Sequence, residues 1–214
     1  MLSGLDFSKS TPLCNVMSKY GSDKSCFQTK YQWHNYTIFY YNILKDLIDK
    51  PLRVFELGLG TNNTNVQSNM GKDGIPGASL RGWAEFFPNA SVFGADIDRD
   101  VLFEETRIKT YYCDQTNPSI IHQMWTESDL VEPFDLIVED GLHTYEANVC
   151  FFENSIHRLK EGGIFIIEDV KADDIPRFEK KIADWKQIHP LLTFETIRLP
   201  YERNGYDNNI IYIH

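Results

Sequence analysis

The stretch LRVFELGLG, residues 52–60, is a short apolar run closed by two glycines. A run of this length reads as a strand buried on both faces. Glycines at its end permit a tight turn and let a ligand approach the backbone. Four further runs of the same kind follow, at 91–96 (SVFGAD), 108–112 (IKTYY), 134–138 (FDLIV) and 163–167 (GIFII). Between them, residues 79–87, 118–125 and 144–159 carry apolar residues at helical spacing, the last expected to stop before Gly162 and Gly163. This alternation builds a parallel sheet covered by helices on both faces. Upstream, 36–48 (YTIFYYNILKDLI) reads as a helix, and the aromatic-rich 27–36 could cap the edge where the strand carboxyl ends lie. Downstream, 175–188 reads as a helix, while 193–198 (TFETIR) and 209–213 (NIIYI) read as a closing antiparallel hairpin.

Composition narrows the function classes. The 214 residues are 42% hydrophobic and 24% charged, ordinary globular usage for one domain, with 1–50 as a helical and aromatic cap segment and 51–214 as the main body. A formal net charge of −10 disfavours a nucleic-acid partner, whose phosphates would repel the surface. No apolar stretch approaches the roughly 18 to 20 residues that span a bilayer, and MLSGLDFSKS lacks a basic flank and apolar core, so no membrane partner and a cytoplasmic location are expected. The cysteines at 14, 26, 113 and 150 form no CxxC pair and read as free thiols. The polar, glycine-rich 61–77 (TNNTNVQSNMGKDGIPG) reads as a long loop or lid.

Chemistry-bearing residues gather at the ends of the strands. Gly58 and Gly60 follow the first strand, though Asn63 stands where a dinucleotide fingerprint has its third glycine. The second strand ends at Asp96, whose carboxylate can accept both hydroxyls of a ribose; Asp98 is its rival, and helix capping is the alternative use of either. After the third strand, Asp114 and Gln115 offer groups suited to an adenine edge or to capping the helix that begins at Pro118. The fourth and fifth strands end in Asp140 and in Glu168-Asp169. Three acids in apolar surroundings repel unless protonated or bound to a cation, and hard oxygen ligands with room for water suit Mg²⁺; capping by Asp140 and Asp169 is the competing reading. His143, three residues past Asp140, could take the proton of a hydroxyl held there. His34 sits in the aromatic segment 27–40, a second candidate lid expected, like 61–77, to be mobile without ligands and to close over the site.

Taken in order, residues 56–60 (ELGLG), 79–83 (SLRGW), 93–98 (FGADID), Asp114-Gln115, 140–143 (DGLH) and 167–169 (IED) resemble the class I S-adenosylmethionine-dependent methyltransferases. Within that class the chain is most similar to the metal-dependent sugar O-methyltransferases of macrolide tailoring, of the mycinamicin and macrocin type. The resemblance runs from 20–24 (YGSDK) to Val170.

It implies an α/β, Rossmann-like, doubly wound sheet of seven mostly parallel strands with a C-terminal antiparallel hairpin. S-adenosylmethionine would be bound by Glu56, Gly58, Gly60, Arg81, Asp96, Asp98, Asp114 and Gln115. Asp140, Glu168 and Asp169 match the family's Mg²⁺ ligands and His143 its general base. The expected function is methylation of a hydroxyl or diol on a small acceptor such as a sugar or glycosylated metabolite, with a homo-oligomer left open. Asn62 departs from the family's glycine loop, and the length leaves no room for the amino-terminal auxiliary domain of the mycinamicin enzymes. The rivals are a nicotinamide-dependent oxidoreductase and a catalytically silent binding protein. Against the first, Asp96 lies twice as far beyond Glu56 as the roughly 20-residue spacing of dinucleotide sites.

Overall fold

The computed structural model describes residues 2, 4–27 and 32–214. Its helices are α1 (Pro12–Tyr20), α2 (Tyr36–Leu44), α3 (Ala78–Phe86), α4 (Pro118–Met124), α5 (Tyr145–Ser155) and α6 (Ile175–Ile188). The strands are β1 (Arg53–Leu57), β2 (Ser91–Asp96), β3 (Glu104–Glu105), β4 (Ile108–Tyr112), β5 (Phe134–Glu139), β6 (Leu159–Ile167), β7 (Phe194–Arg198) and β8 (Asn209–Ile213). They form one sheet in the order β3-β4-β2-β1-β5-β6-β8-β7. The five central strands run parallel, and β8 pairs antiparallel with both β6 and β7. The expected seven strands are joined by an eighth, the two-residue β3, which turns back antiparallel onto β4 at the sheet edge.

Strand pleating divides the core in two. Val54, Val92, Leu136, Val138, Ile164 and Ile166 face α1, α2 and α3, packing on Leu13, Met17, Phe39, Tyr40 and Trp83. Phe55, Leu57, Phe93, Ile137, Phe165 and Ile167 face the other way, against Trp125, Phe151, Phe152 and Trp185 of the α4–α6 side. Each fully buried side chain of this size stabilises the fold by about 1.5–3 kcal/mol through area removed from water. Cutting Phe55 to Ala at the centre of three aromatic contacts would cost about 3–5 kcal/mol.

Local chemistry sets the element ends. Thr11 caps α1 by accepting from the Cys14 N–H at 3.2 Å, Pro12 occupies its first turn, and Gly21 closes it at φ 82°. Asn117, rather than Asp114 or Gln115, caps α4, accepting from Ser119 N at 3.0 Å. The helix read over 144–159 ends early, passing through a short 3-10 turn at Ile156–Arg158 into β6. Gly162 and Gly163 therefore lie inside β6, where the register against β5 jumps from Phe134↔Leu159 to Leu136↔Ile164. They mark an irregularity in the strand instead of a helix stop. The four cysteines are free thiols. No helix among the described residues is long and apolar enough to cross a membrane.

Candidate active site

The carboxyl ends of the parallel strands open into a cavity of about 1100 Å³, larger than the roughly 300–1,000 Å³ that suits one small ligand. Gly58, Gly60, Asp96, Asp98, Asp114, Gln115, Asp140, His143 and Asp169 all line it. Gly58 is required there on two counts. Its φ is 90°, and a Cβ would lie 1.9 Å from the carbonyl oxygen of Asp140.

On one side of the cavity, Asp96 Oδ2 accepts the Leu59 N–H and Oδ1 the Asp98 N–H, each at 2.8 Å. Burial pushes its carboxyl up from the ordinary value, and these backbone donors work against that. Each oxygen keeps a second lone pair for a ligand. Asp98 divides its side chain between Asp100 N, capping a short 3-10 turn at Arg99–Val101, and Thr61 Oγ1 at 2.5 Å. Asp114 folds back on Thr116, at 3.0 Å to its nitrogen and 2.6 Å to its hydroxyl.

Gln115 acts as a strut. Its Nε2 donates to Glu139 Oε1 at 2.8 Å while its Oε1 accepts from Leu142 N at 2.7 Å, which holds the turn that carries His143. Loop 61–77 spans both sides of the cavity, tied to Asp98 through Thr61 and to Leu142 O through Ser68 Oγ at 2.9 Å.

On the other side, Asp140, His143 and Asp169 present ligand-type atoms all within 4.8 Å of one another. His143 Nε2 lies 3.1 Å from Asp140 Oδ1 and 3.2 Å from Asp169 Oδ2. Burial opposes its charge, but Asp169 and Asp140 outweigh burial and hold its pKa up to about 10. Asp140 moves the other way: burial would raise it, yet Lys24 and His143 keep its carboxyl well below the ordinary range. His143 and Asp169 have φ values of 57° and 50°, a left-handed conformation uncommon for residues with side chains and often concentrated at functional sites. Asp169 Oδ1 is met by Tyr36 Oη at 2.6 Å and by His34 Nε2 at 3.3 Å. Two carboxylates with open space beside them could hold a divalent ion, since Mg²⁺ takes one or two carboxylates and completes its shell with water or ligand oxygens.

Three residues expected at the ligands stand elsewhere. Arg81 lies outside the cavity wall, its guanidinium forked onto Glu105 at 2.7–3.2 Å and stacked over Phe103. Glu56 is fully buried behind the wall, accepting from Trp83 Nε1 at 2.5 Å and from Ser79 Oγ. Glu168 is also behind the wall, with Oε1 on Tyr40 Oη at 2.5 Å and Oε2 on the Lys24 ammonium. The acids do not face one another uncompensated, because Lys24, from the 20–24 (YGSDK) segment, supplies a cation between Asp140 and Glu168.

Two other groups stand where sequence alone does not place them. His34 reaches Asp169, and neither its spacing nor its neighbours in sequence signal that contact. Glu139, next to Asp140, is 1% exposed, and burial pushes its carboxyl up to about 7. Its Oε2 has no partner among the described residues.

The strand order, the reversed last strand and the cavity at the parallel strand ends define the class I S-adenosylmethionine-dependent methyltransferase fold. No family model matches the chain. Among curated proteins it is 28% identical over 174 residues to the 8-demethyl-8-alpha-L-rhamnosyl tetracenomycin-C 2'-O-methyltransferase of Streptomyces olivaceus, covering 80% of this chain and 41% of that protein. It is 28% identical over 171 residues to the mycinamicin VI 2''-O-methyltransferase of Micromonospora griseorubida, covering 80% and 39%. The demethylmacrocin O-methyltransferase of Streptomyces fradiae is 29% identical over 145 residues, covering 68% and 34%. The chain thus spans about two fifths or less of the length of these relatives. Among solved structures, a methyltransferase of the mycinamycin biosynthetic pathway in complex with Mg and SAH superposes with a TM-score of 0.69 at 22% identity, over 97% of this chain and 55% of that one. Human methyltransferase-like protein 13 in complex with SAH gives 0.54 at 18% identity, over 79% and 73%.

Proposed function

We propose that the chain is an S-adenosylmethionine-dependent O-methyltransferase that works with Mg²⁺ on a hydroxyl or diol of a small acceptor, a sugar or glycosylated metabolite. The observation that carries this reading is one cavity joining a ribose-type aspartate, Asp96, to the Asp140–His143–Asp169 corner. A volume of about 1100 Å³ leaves room for an acceptor beside a nucleoside cofactor. The names of the tetracenomycin and mycinamicin relatives, and the Mg and SAH in the superposed structure, support the choice.

Each residue then has a defined task. Gly58 and Gly60 let the backbone approach the cofactor, Asp96 accepts from its ribose hydroxyls, and Asp98, Asp114 and Gln115 border its remaining surface. Asp140 and Asp169 hold the ion and orient the acceptor. His143 Nε2 receives the hydroxyl proton, which makes the oxygen a nucleophile. Loop 61–77 excludes water above them. When bound, S-adenosylmethionine supplies an electrophilic methyl group and Mg²⁺ a Lewis acid that lowers the hydroxyl pKa.

Calorimetry with S-adenosylmethionine, S-adenosylhomocysteine and NAD tests the reading. Micromolar binding of the first two and none of NAD is the expected result. Binding of NAD alone would return the site to the oxidoreductases, and binding of none would overturn the reading.

A further inference from the structure

Glu56, Asp140 and Glu168 stand at the ends of three adjacent strands. β1 and β5 are paired with Glu56 opposite Val138, and β5 and β6 with Val138 opposite Ile166. Counting two residues onward, the pleat places Asp140 and Glu168 on the same sheet face as Glu56, the face covered by α1–α3. The ladder continues past the strand ends, since Glu168 N donates to Glu139 O at 2.9 Å and Asp140 N to Leu57 O at 2.9 Å. Three carboxylates are therefore fixed in one row by backbone hydrogen bonds.

Lys24 enters this row from the turn that follows α1. Its ammonium lies 2.5 Å from Asp140 Oδ2, touches Glu168 Oε2 and stands 3.7 Å from Glu56 Oε1. The side chain is 1% exposed, and the carbonyl of the same residue accepts from Thr37 N at 3.1 Å, which ties the turn to α2. Among the described residues it is the only lysine or arginine paired with any of the three acids. A lysine is almost never buried this far unless its charge is matched, and here the acids outnumber it.

We propose that Lys24 is the resident counter-ion of the acid row, a monovalent rival of the divalent ion that sets how tightly that ion binds. The proposal rests on the reading above, in which Asp140 and Asp169 hold the metal. While Lys24 occupies Asp140 Oδ2 and Glu168 Oε2, those oxygens are shielded and the corner carries one negative charge fewer. Without the ammonium, the same hard oxygens are free and the local field is more negative, so a divalent cation is drawn in more strongly. The metal-free protein would meanwhile be left with buried like charges and lose stability.

The test titrates Mn²⁺ into wild type, Asp169→Asn, Lys24→Met and the charge-balanced Lys24→Met/Glu56→Gln protein, with calorimetry for affinity and thermal melts with and without the ion. Wild type is expected to bind, and Asp169→Asn to bind at least tenfold more weakly. Lys24→Met should bind Mn²⁺ at least tenfold more tightly than wild type, the charge-balanced variant more tightly than wild type but less so than Lys24→Met, and Lys24→Met should melt lower without metal and recover when Mn²⁺ is added. A purely structural lysine could lower the melting temperature but would not tighten metal binding. Wild-type binding that is lost in Asp169→Asn, together with unchanged or weaker affinity in a folded Lys24 variant, overturns the role of Lys24 and leaves the metal site standing. Absence of Mn²⁺ binding in wild type and Lys24→Met alike overturns both. If neither Lys24 variant folds without metal, folding rescued by millimolar Mn²⁺ supports the proposal, and failure to fold in Mn²⁺ overturns it.

Discussion

Asp169 reaches His143 across the strand ends, Oδ2 to Nε2 at 3.2 Å, and both residues hold a left-handed backbone. Both carry a Cβ, so this conformation costs some backbone energy, and it aims the two side chains at one point. In this state the imidazole is gripped by two carboxylates and holds its proton to about pH 10. A base must be neutral to accept a proton, so the grip has to loosen before the ring can act.

A cation on Asp140 and Asp169 would remove the support for that raised pKa. Ring NMR shifts of His143 in the metal-free protein should titrate near pH 10, and saturating Mg²⁺ should move the midpoint down by more than one unit. Turnover should rise as pH increases through the lowered value, and that limb should vanish in His143→Ala, whose rate falls about 10²- to 10⁴-fold. A midpoint that ignores Mg²⁺ would show that the ion does not bind at these carboxylates.

Replacing Asp169 by Asn keeps the shape and removes one charge from the corner proposed to hold the metal. Activity should drop at ordinary Mg²⁺ and return in part at high Mg²⁺, the signature of a weakened ligand. Full turnover after exhaustive chelation of wild type would instead exclude a catalytic ion.

Asp96→Ala would remove the proposed acceptor for the ribose hydroxyls and leave the Leu59 and Asp98 N–H groups without their partner. Charge-assisted hydrogen bonds are worth roughly 1.5–3 kcal/mol, so affinity for S-adenosylhomocysteine should fall about ten- to a hundredfold. Unchanged affinity by calorimetry would move the ribose away from this residue.

Glu139 gives a stability signal that does not depend on turnover. Its folded pKa of about 7 lies above the ordinary 4.5, so folding favours its neutral form. That contribution is complete below about pH 4.5 and is lost as pH rises through 7. Between pH 5 and pH 8 the melting temperature of wild type should therefore fall more than that of Glu139→Gln, which cannot ionise. Parallel melting curves across this range would mean that the carboxyl ionises in the fold without penalty.

Hydrogen exchange addresses the lid. Loop 61–77 is mostly exposed and fastened by a few side-chain bonds, so cofactor and acceptor should slow its exchange. The second expected lid segment, 27–40, is different. Residues 28–31 lie outside the described residues, while Tyr36, Ile38, Phe39 and Tyr40 are buried in the core. Exchange in α2 should be slow with or without ligands, and fast exchange there would contradict the packing.

The strands that build the site could be read in the sequence because each is a short apolar run with its polar residue at the carboxyl end, as in Asp96, Asp140 and Asp169. Helix α1 also carries its signal in the sequence: Thr11 and Pro12 form a start signal, and Leu13, Cys14 and Met17 share the buried face. The two-residue β3 has too little pattern to read. The side chains of Glu56 and Glu168 face the helical layer and not the cavity, which follows from pleating once the register is known but not from motif order. Lys24 was the hardest to foresee, because its partners lie 116 and 144 residues away and only tertiary contact joins them.

The missing side chain of Gly58 has a wider consequence. Its Cα rests so close to the Asp140 carbonyl that even a methyl group would collide with it. In the proposed reading, the floor that would lie beneath the nucleoside and the corner that holds the acids are therefore in direct contact through Gly58 and Asp140. Under that reading, a drift of either strand tip by a fraction of an ångström would shift the seat of the methyl donor and the proposed proton acceptor together, preserving their alignment.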